Sequence, residues 1–448
     1  VTASWLLANV LLVPMDGPAS APLGTVRAGA LRIAGDRIVA LGDLEPAAGE
    51  TVQDGHGMAA LPGFVQGHLH CCQTLFRGLA DDLALLPWLQ TRIWPLEHAH
   101  DGRSTSASAE LTLCELLRSG TTTFQAMESV RHAEQAFAAA QSAGVTAVLG
   151  NCLMDLPGPG VPAGMTTSGS DALRISEQLL QQFHGHGGRL FYAVSPRFLL
   201  SVSEPLAHDA AAFATQHRLR IHTHADEHQD EIAAVRARFH ADYLQVLDRQ
   251  GLLTARTGLA HCVHTTAAER ALLQGRGAAV LHCPSTNLKL GSGIAPIRDY
   301  LVAGVPLALG ADGAACNNRL GMLTELRQAA LLQALHAGPG AVPAASWLWL
   351  ATAGGARALG LEHEVGSLRP GLRADVVLFD LQAAELEPGG EVASKLVFQA
   401  DERHLRQVFC GGRQVVRDGV LVAFDHRAVA ARAASERDLL LARAGLRR

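Results

Sequence analysis

The sequence predicts an α/β fold: a parallel (β/α)8 barrel of the TIM type, with a small β-sandwich domain assembled from both chain ends. Three observations carry this. Eight short apolar runs alternate with helical stretches through the middle of the chain. Strand-and-turn patterns fill residues 1–60 and return over residues 365–425. Histidines and carboxylates fall at the ends of several apolar runs, where barrels of this kind carry their chemistry.

The β-domain is predicted first. Strands are expected at residues 5–13, 29–33 and 37–41, with Gly35-Asp36 as a hairpin turn. The return begins after the turn-rich Arg369-Pro370-Gly371, with a strand at 374–381. Strands at 408–410 and 414–416 flank Gly411-Gly412, and another at 420–424 follows Asp418-Gly419. An Ala/Leu/Arg-rich helix over 428–448 lies in a C-terminal segment, residues 426–448.

The barrel is expected within residues 61–364. Its strands are read at 63–68, 121–125, 147–151, 190–195, 219–224, 258–262, 278–283 and 306–312. Helices are expected at 107–118, 133–143, 205–216, 227–250 and 266–274. An open doubly wound sheet is the simpler alternative, but eight units are what a closed ring needs.

Composition excludes several classes. Among 448 residues, 48% are hydrophobic, enough for a large core. The net charge of −5 leaves no basic footprint for nucleic acid. No apolar run approaches the roughly 18 residues of a membrane span. The apolar start, residues 1–13, lacks a positive leader and is followed by Pro14 and Asp16, so it reads as a strand. The eight cysteines form no C-x-x-C pair, which points to free thiols in a reducing cytoplasm.

The chemistry sits in a few places. His68 and His70 close the first barrel run, and residues two apart in a strand share a face. Two imidazoles side by side suit a divalent metal. His222 and His224 repeat the spacing, and either could be the ligand. The other two H-x-H pairs, His98/His100 and His184/His186, end no strand-like run and are read as surface residues. Glu227 follows His224 by three, and Asp226 reads as a helix cap. His261 ends the sixth run. Asp312 ends the eighth, where a buried carboxylate needs a metal or a partner; its plainer reading is a cap for a helix starting near Asn318. No phosphate-binding loop, no G-x-S-x-G and no H-E-x-x-H is present.

The pattern resembles the amidohydrolase superfamily, in the aminohydrolase and chlorohydrolase branch that holds guanine deaminase, adenosine-type deaminases and triazine hydrolases. The resemblance spans nearly the whole chain. It rests on Pro62-Gly63-Phe64-Val65-Gln66-Gly67-His68-Leu69-His70, on residues 75–82 with Trp88-Leu89, and on His224 to Glu227 as H-x-x-E. Residues 260–264, 282–287 and 366–375 are similar to its later segments. It implies one divalent metal, Zn2+ by default with Fe2+ as the alternative, held by His68, His70, His224 and Asp312. It implies Asp312 as proton acceptor, Glu227 as proton donor to the ring, and His261 as the residue steadying the attacking oxygen. Binuclear members use a carboxylated lysine; the only lysines here are Lys289 and Lys395, so one metal is expected.

The expected reaction is release of ammonia from an amino-substituted aromatic N-heterocycle. Gln73 and the Arg197-Phe198 pair resemble substrate contacts of guanine deaminase, which makes a guanine-like purine the first expectation. The plainer readings are a capping role for Gln73 and an ion pair between Arg197 and Glu204. Residues 75–96 resemble the adenosine-type and triazine enzymes, so adenosine-type purines and triazines are the alternatives. A non-catalytic ligand-binding barrel is the alternative outside enzymes. A small heterocyclic substrate is the expected partner, with neither nucleic acid nor membrane, and a homodimer is expected from the relatives.

Overall fold

The computed structural model of the chain describes residues 4–446. These form two compact units. One holds the residues up to Gln66 with Cys114–Thr123 and Gly321–Asp425; the other holds Gly67–Leu113, Phe124–Leu320 and the chain from His426. The expected domain limits at 60/61 and 364/365 are therefore not the limits of packing: residues 321–364 pack within the first unit.

The first unit carries a mixed sheet of nine strands drawn from both ends of the chain. Val376–Asp380 runs antiparallel to Met58–Pro62, with Val376 opposite Pro62, and this pairing joins the two ends. Ser4–Leu12 pairs with Arg27–Ala34, which pairs with Arg37–Gly42 across the predicted Gly35 turn. Leu7, Leu31, Ile33, Leu378 and Phe409 fill its core. Thr51–Asp54 and Met58–Pro62 were not predicted. The first is short and largely exposed, so it has no hydrophobic alternation to read.

The barrel strands are Phe64–His70, Thr121–Glu128, Thr146–Leu153, Leu190–Pro196, Arg220–Ala225, Thr257–His261 and Ala279–His282, followed by an eighth in two pieces. Leu307–Leu309 pairs with the seventh strand, and Asp312–Gly313 pairs with the first, closing the ring. The break falls at Gly310, where a Cβ would lie 2.7 Å from the His68 carbonyl oxygen. Glycine is needed there for the backbone to pass so close to His68.

The helices hold by ordinary end signals. Ala267–Arg276 begins with a capping box between Thr266 and Glu269 and ends at Gly277 in the left-handed conformation. Ser203 caps Glu204–Gln216. The single helix expected over 227–250 is two, Gln229–Phe239 and Tyr243–Arg249, separated at His240, whose φ is +51°. The C-terminal helix is His426–Ala444; the last two residues of the predicted one lie outside the described residues. All eight cysteines are free and buried. No helix among the described residues is long and apolar enough to cross a membrane.

Candidate metal centre and active site

The ends of the first, fifth, sixth and eighth barrel strands meet in the second unit. His68 Nε2 lies 3.3 Å from Asp312 Oδ1, and His70 Nε2 lies 3.4 Å from the same oxygen. His70 Nε2 and His224 Nε2 are 3.3 Å apart. His261 Nε2 stands 3.8 Å from Asp312 Oδ2 and 3.5 Å from Glu227 Oε2. All except the half-buried His224 are buried.

The backbone is unusual at these strand ends. Asp226, His261, Cys262 and Asp312 all have positive φ, between +46° and +74°. Non-glycine residues occupy this region at a cost, and such strain gathers at functional sites.

The outer ring nitrogens reveal which inner ones are free. His70 Nδ1 donates to the Met127 carbonyl at 2.7 Å, and His224 Nδ1 donates to the Arg197 carbonyl at 2.7 Å. His261 Nδ1 lies 2.9 Å from Asn287 Oδ1. Each such bond places the ring proton on Nδ1 and leaves a lone pair on Nε2. Burial first, then the charge of neighbouring His68, lowers His70 to about 4, so it is neutral near pH 7. Two facing lone pairs and a carboxylate oxygen at such separations repel unless a cation lies among them. Ligands about 2.0–2.1 Å from a tetrahedral ion stand roughly 3.4 Å from one another. The spacings here match, and the residues fit a divalent metal. His68, with His224 and His261, and separately with Cys283 and Asp312, forms the clusters of ligating atoms lying within 4.8 Å of each other.

Glu227 lies in the loop after the fifth strand and its side chain is buried. Its backbone N–H donates to Glu231, whose other oxygen accepts the Tyr243 hydroxyl at 2.6 Å. Burial and the negative charge of Asp312 push Glu227 well above the usual carboxylate range. Asp226 caps no helix; His228 caps Gln229–Phe239 instead, and the Asp226 carbonyl accepts from Val263 and His264. Asp312 caps none either, because the following helix starts at Met322.

A pocket opens over these groups. Its floor includes His70, His224, Glu227, His261 and Asp312, and its walls are largely apolar, with Leu85, Trp88, Leu89, Phe198 and Leu290. Arg197 also lines it, but its guanidinium pairs with Glu97, not Glu204. Gln73 is fully buried, its amide donates to Glu97 at 2.9 Å, and it is not part of the cavity wall. The substrate contact expected of Gln73 is therefore replaced by an internal one.

His98, His184 and His186 are exposed as expected, but His100 is buried, bonded to Ser104 and to the Cys72 carbonyl. Glu97, Glu231 and Asn287 were given no role by the sequence. Glu97 lies in a short helix, Trp94–His98, with no motif around it; its meeting with Arg197 spans a hundred residues of chain.

The chain matches the Amidohydrolase family over residues 59–415. It is 35% identical to a 5-methylthioadenosine/S-adenosylhomocysteine deaminase of Moorella thermoacetica, across 94% of this chain and 96% of that one. It is similar to an adenosine deaminase of Xanthomonas campestris, solved with bound zinc, at a TM-score of 0.90 and 32% identity over 98% of this chain and 99% of the other. The E. coli guanine deaminase is similar at a TM-score of 0.82 and 27% identity, covering 93% of this chain and 99% of that one.

Proposed function

Since this chain belongs to the amidohydrolase family, as a hydrolase of C–N bonds, we propose that it deaminates an adenosine-type purine. The observation that carries this is the likeness, along nearly the full chain, to a deaminase of methylthioadenosine and S-adenosylhomocysteine. The guanine-like ring expected from Gln73 and Arg197 gives way to it. Gln73 is withdrawn into the protein and Arg197 is engaged by Glu97, and the likeness to guanine deaminase is the weaker one.

His68, His70, His224 and Asp312 would hold the metal, and zinc suits this nitrogen-rich set. A divalent metal there supplies Lewis acidity that brings the pKa of water toward neutrality. Asp312 takes a proton from the attacking water as its oxygen adds to the ring carbon bearing the amine. Glu227, kept protonated by burial and by Asp312, gives its proton to the adjacent ring nitrogen. Asp312 then passes its proton to the amine, which leaves as ammonia. The added hydroxyl returns a proton to Glu227, and the ring keeps a carbonyl with a protonated neighbouring nitrogen. His261 holds the attacking oxygen in line and steadies the tetrahedral carbon. Leu85, Trp88, Leu89, Phe198 and Leu290 cover the ring and exclude bulk water.

The test is ammonia release from 5′-methylthioadenosine, S-adenosylhomocysteine, 5′-deoxyadenosine, adenosine, guanine and a chlorotriazine, with an Asp312→Ala control. Turnover of the first four that the control lacks supports the proposal. Turnover of guanine or the triazine alone overturns it.

A further inference from the structure

His70, His224 and His261 rest their Nδ1 atoms on two backbone carbonyls and an asparagine amide oxygen. His68 leans on another imidazole: its Nδ1 lies 2.8 Å from His222 Nε2, with both rings fully buried. The rings meet edge-on, their planes at 84°. A single proton lies between these two nitrogens, and its owner decides what His68 can do. If His68 Nδ1 donates, His68 Nε2 keeps a lone pair toward Asp312 and His70. If His222 Nε2 donates, His68 carries its own proton on Nε2 and cannot ligate.

As a metal ligand His68 must present a lone pair at Nε2, and this selects the first arrangement. His68 Nε2 is buried and lies 3.3 Å from Asp312 Oδ1, the atom with which it would share the metal. His222 must then accept at Nε2 and carry its proton on Nδ1, an atom with no hydrogen-bond partner among the described residues. Gly258 stands opposite His222 in register on the sixth strand. A Cβ there would lie 2.9 Å from Leu281 and 3.5 Å from the amide nitrogen of Gln125.

We propose that His222, the first histidine of the second H-x-H pair, is a positioning residue that holds His68 in its metal-binding tautomer by accepting the Nδ1 proton. This rests on His68 being a ligand, and the test separates the two. Metal-free enzyme and its His222→Gln, His222→Met and His68→Ala variants are titrated with Zn2+ against a chelator. His68→Ala should bind weakly. His222→Met, similar in size but a poor acceptor, should lose about 10–100-fold in affinity. His222→Gln, whose side-chain oxygen can reach the same proton, should stay within about threefold of the parent. Wild-type affinity in His222→Met beside a weak His68→Ala overturns the positioning role, as does a His222→Gln variant as weak as His222→Met. Wild-type affinity in His68→Ala overturns the ligand assignment itself. Nitrogen-15 spectra of the histidine-labelled parent with Zn2+ need no variant to fold: they should show His222 protonated at Nδ1, and protonation at Nε2 overturns the proposal.

Discussion

Glu97 holds the guanidinium of Arg197 with both carboxylate oxygens. Oε2 accepts from Nη1 at 2.8 Å and Oε1 accepts from Nη2 at 3.2 Å, and both residues are buried. Gln73 donates to the same Oε1. The carboxylate is thus engaged from inside the protein by two side chains, and it is Arg197, not Glu97, that lines the cavity.

Removing one member of this pair leaves a buried charge unmatched. Glu97→Ala should lower stability by about 3–5 kcal/mol. The joint replacement Glu97→Leu with Arg197→Met should lower it by less, since no charge remains unpaired. Urea unfolding measures both. A loss under about 1 kcal/mol for Glu97→Ala would show that the pair behaves like a solvated surface bridge.

Glu227 must be protonated to act as an acid. Its folded pKa is raised, so the active form persists on the acid side and is lost as pH rises through that raised value. A basic limb in kcat/KM is expected, and Glu227→Gln should abolish it. That variant should fall by about 10²–10⁴-fold in rate while keeping its metal content. An unchanged basic limb would assign it to another group.

Glu128 offers a stability test away from the reaction. Its oxygens accept the backbone N–H groups of Cys71 and Cys72, at 3.1 and 2.9 Å, where the chain leaves His70. Burial nonetheless raises it from 4.5 to about 7. The folded state therefore holds this proton more tightly than the unfolded state. Its contribution is most favourable below pH 4.5 and declines until about pH 7, by about 3 kcal/mol in all. The stability difference between the parent and Glu128→Gln should shift by that amount across this window, in favour of the variant at the higher pH. Parallel pH profiles would mean that Glu128 titrates normally.

Stripping the metal should remove activity and lower the melting temperature together. Restoring Zn2+ to about a hundred times its Kd should return about 2.7 kcal/mol. Loss of activity with no change in melting temperature would place the metal outside the folded site.

The ring of strands and its histidines could be read from the sequence because one cause produces both signals. Buried parallel strands are apolar throughout, so a histidine or aspartate ending one stands out, as His68 and Asp312 do. Elsewhere the signal was local while the cause was not. Glu97 and Asn287 matter only because the chain brings them to Arg197 and His261. His240 broke a helix whose residue pattern continued unbroken through it. The sharp turn at Asp312 depends on Gly310 passing against His68, a tertiary constraint with no periodicity.

Arg197 serves the centre through two different atoms. Its carbonyl accepts from His224, and its guanidinium is held by Glu97. Any residue at this position supplies the carbonyl, while the pairing with Glu97 belongs to the side chain alone. Evolution could therefore exchange the side chain at this lining position while the carbonyl that holds His224 was inherited intact. Retargeting by laboratory selection should find position 197 permissive for new specificities once Glu97 is changed alongside it.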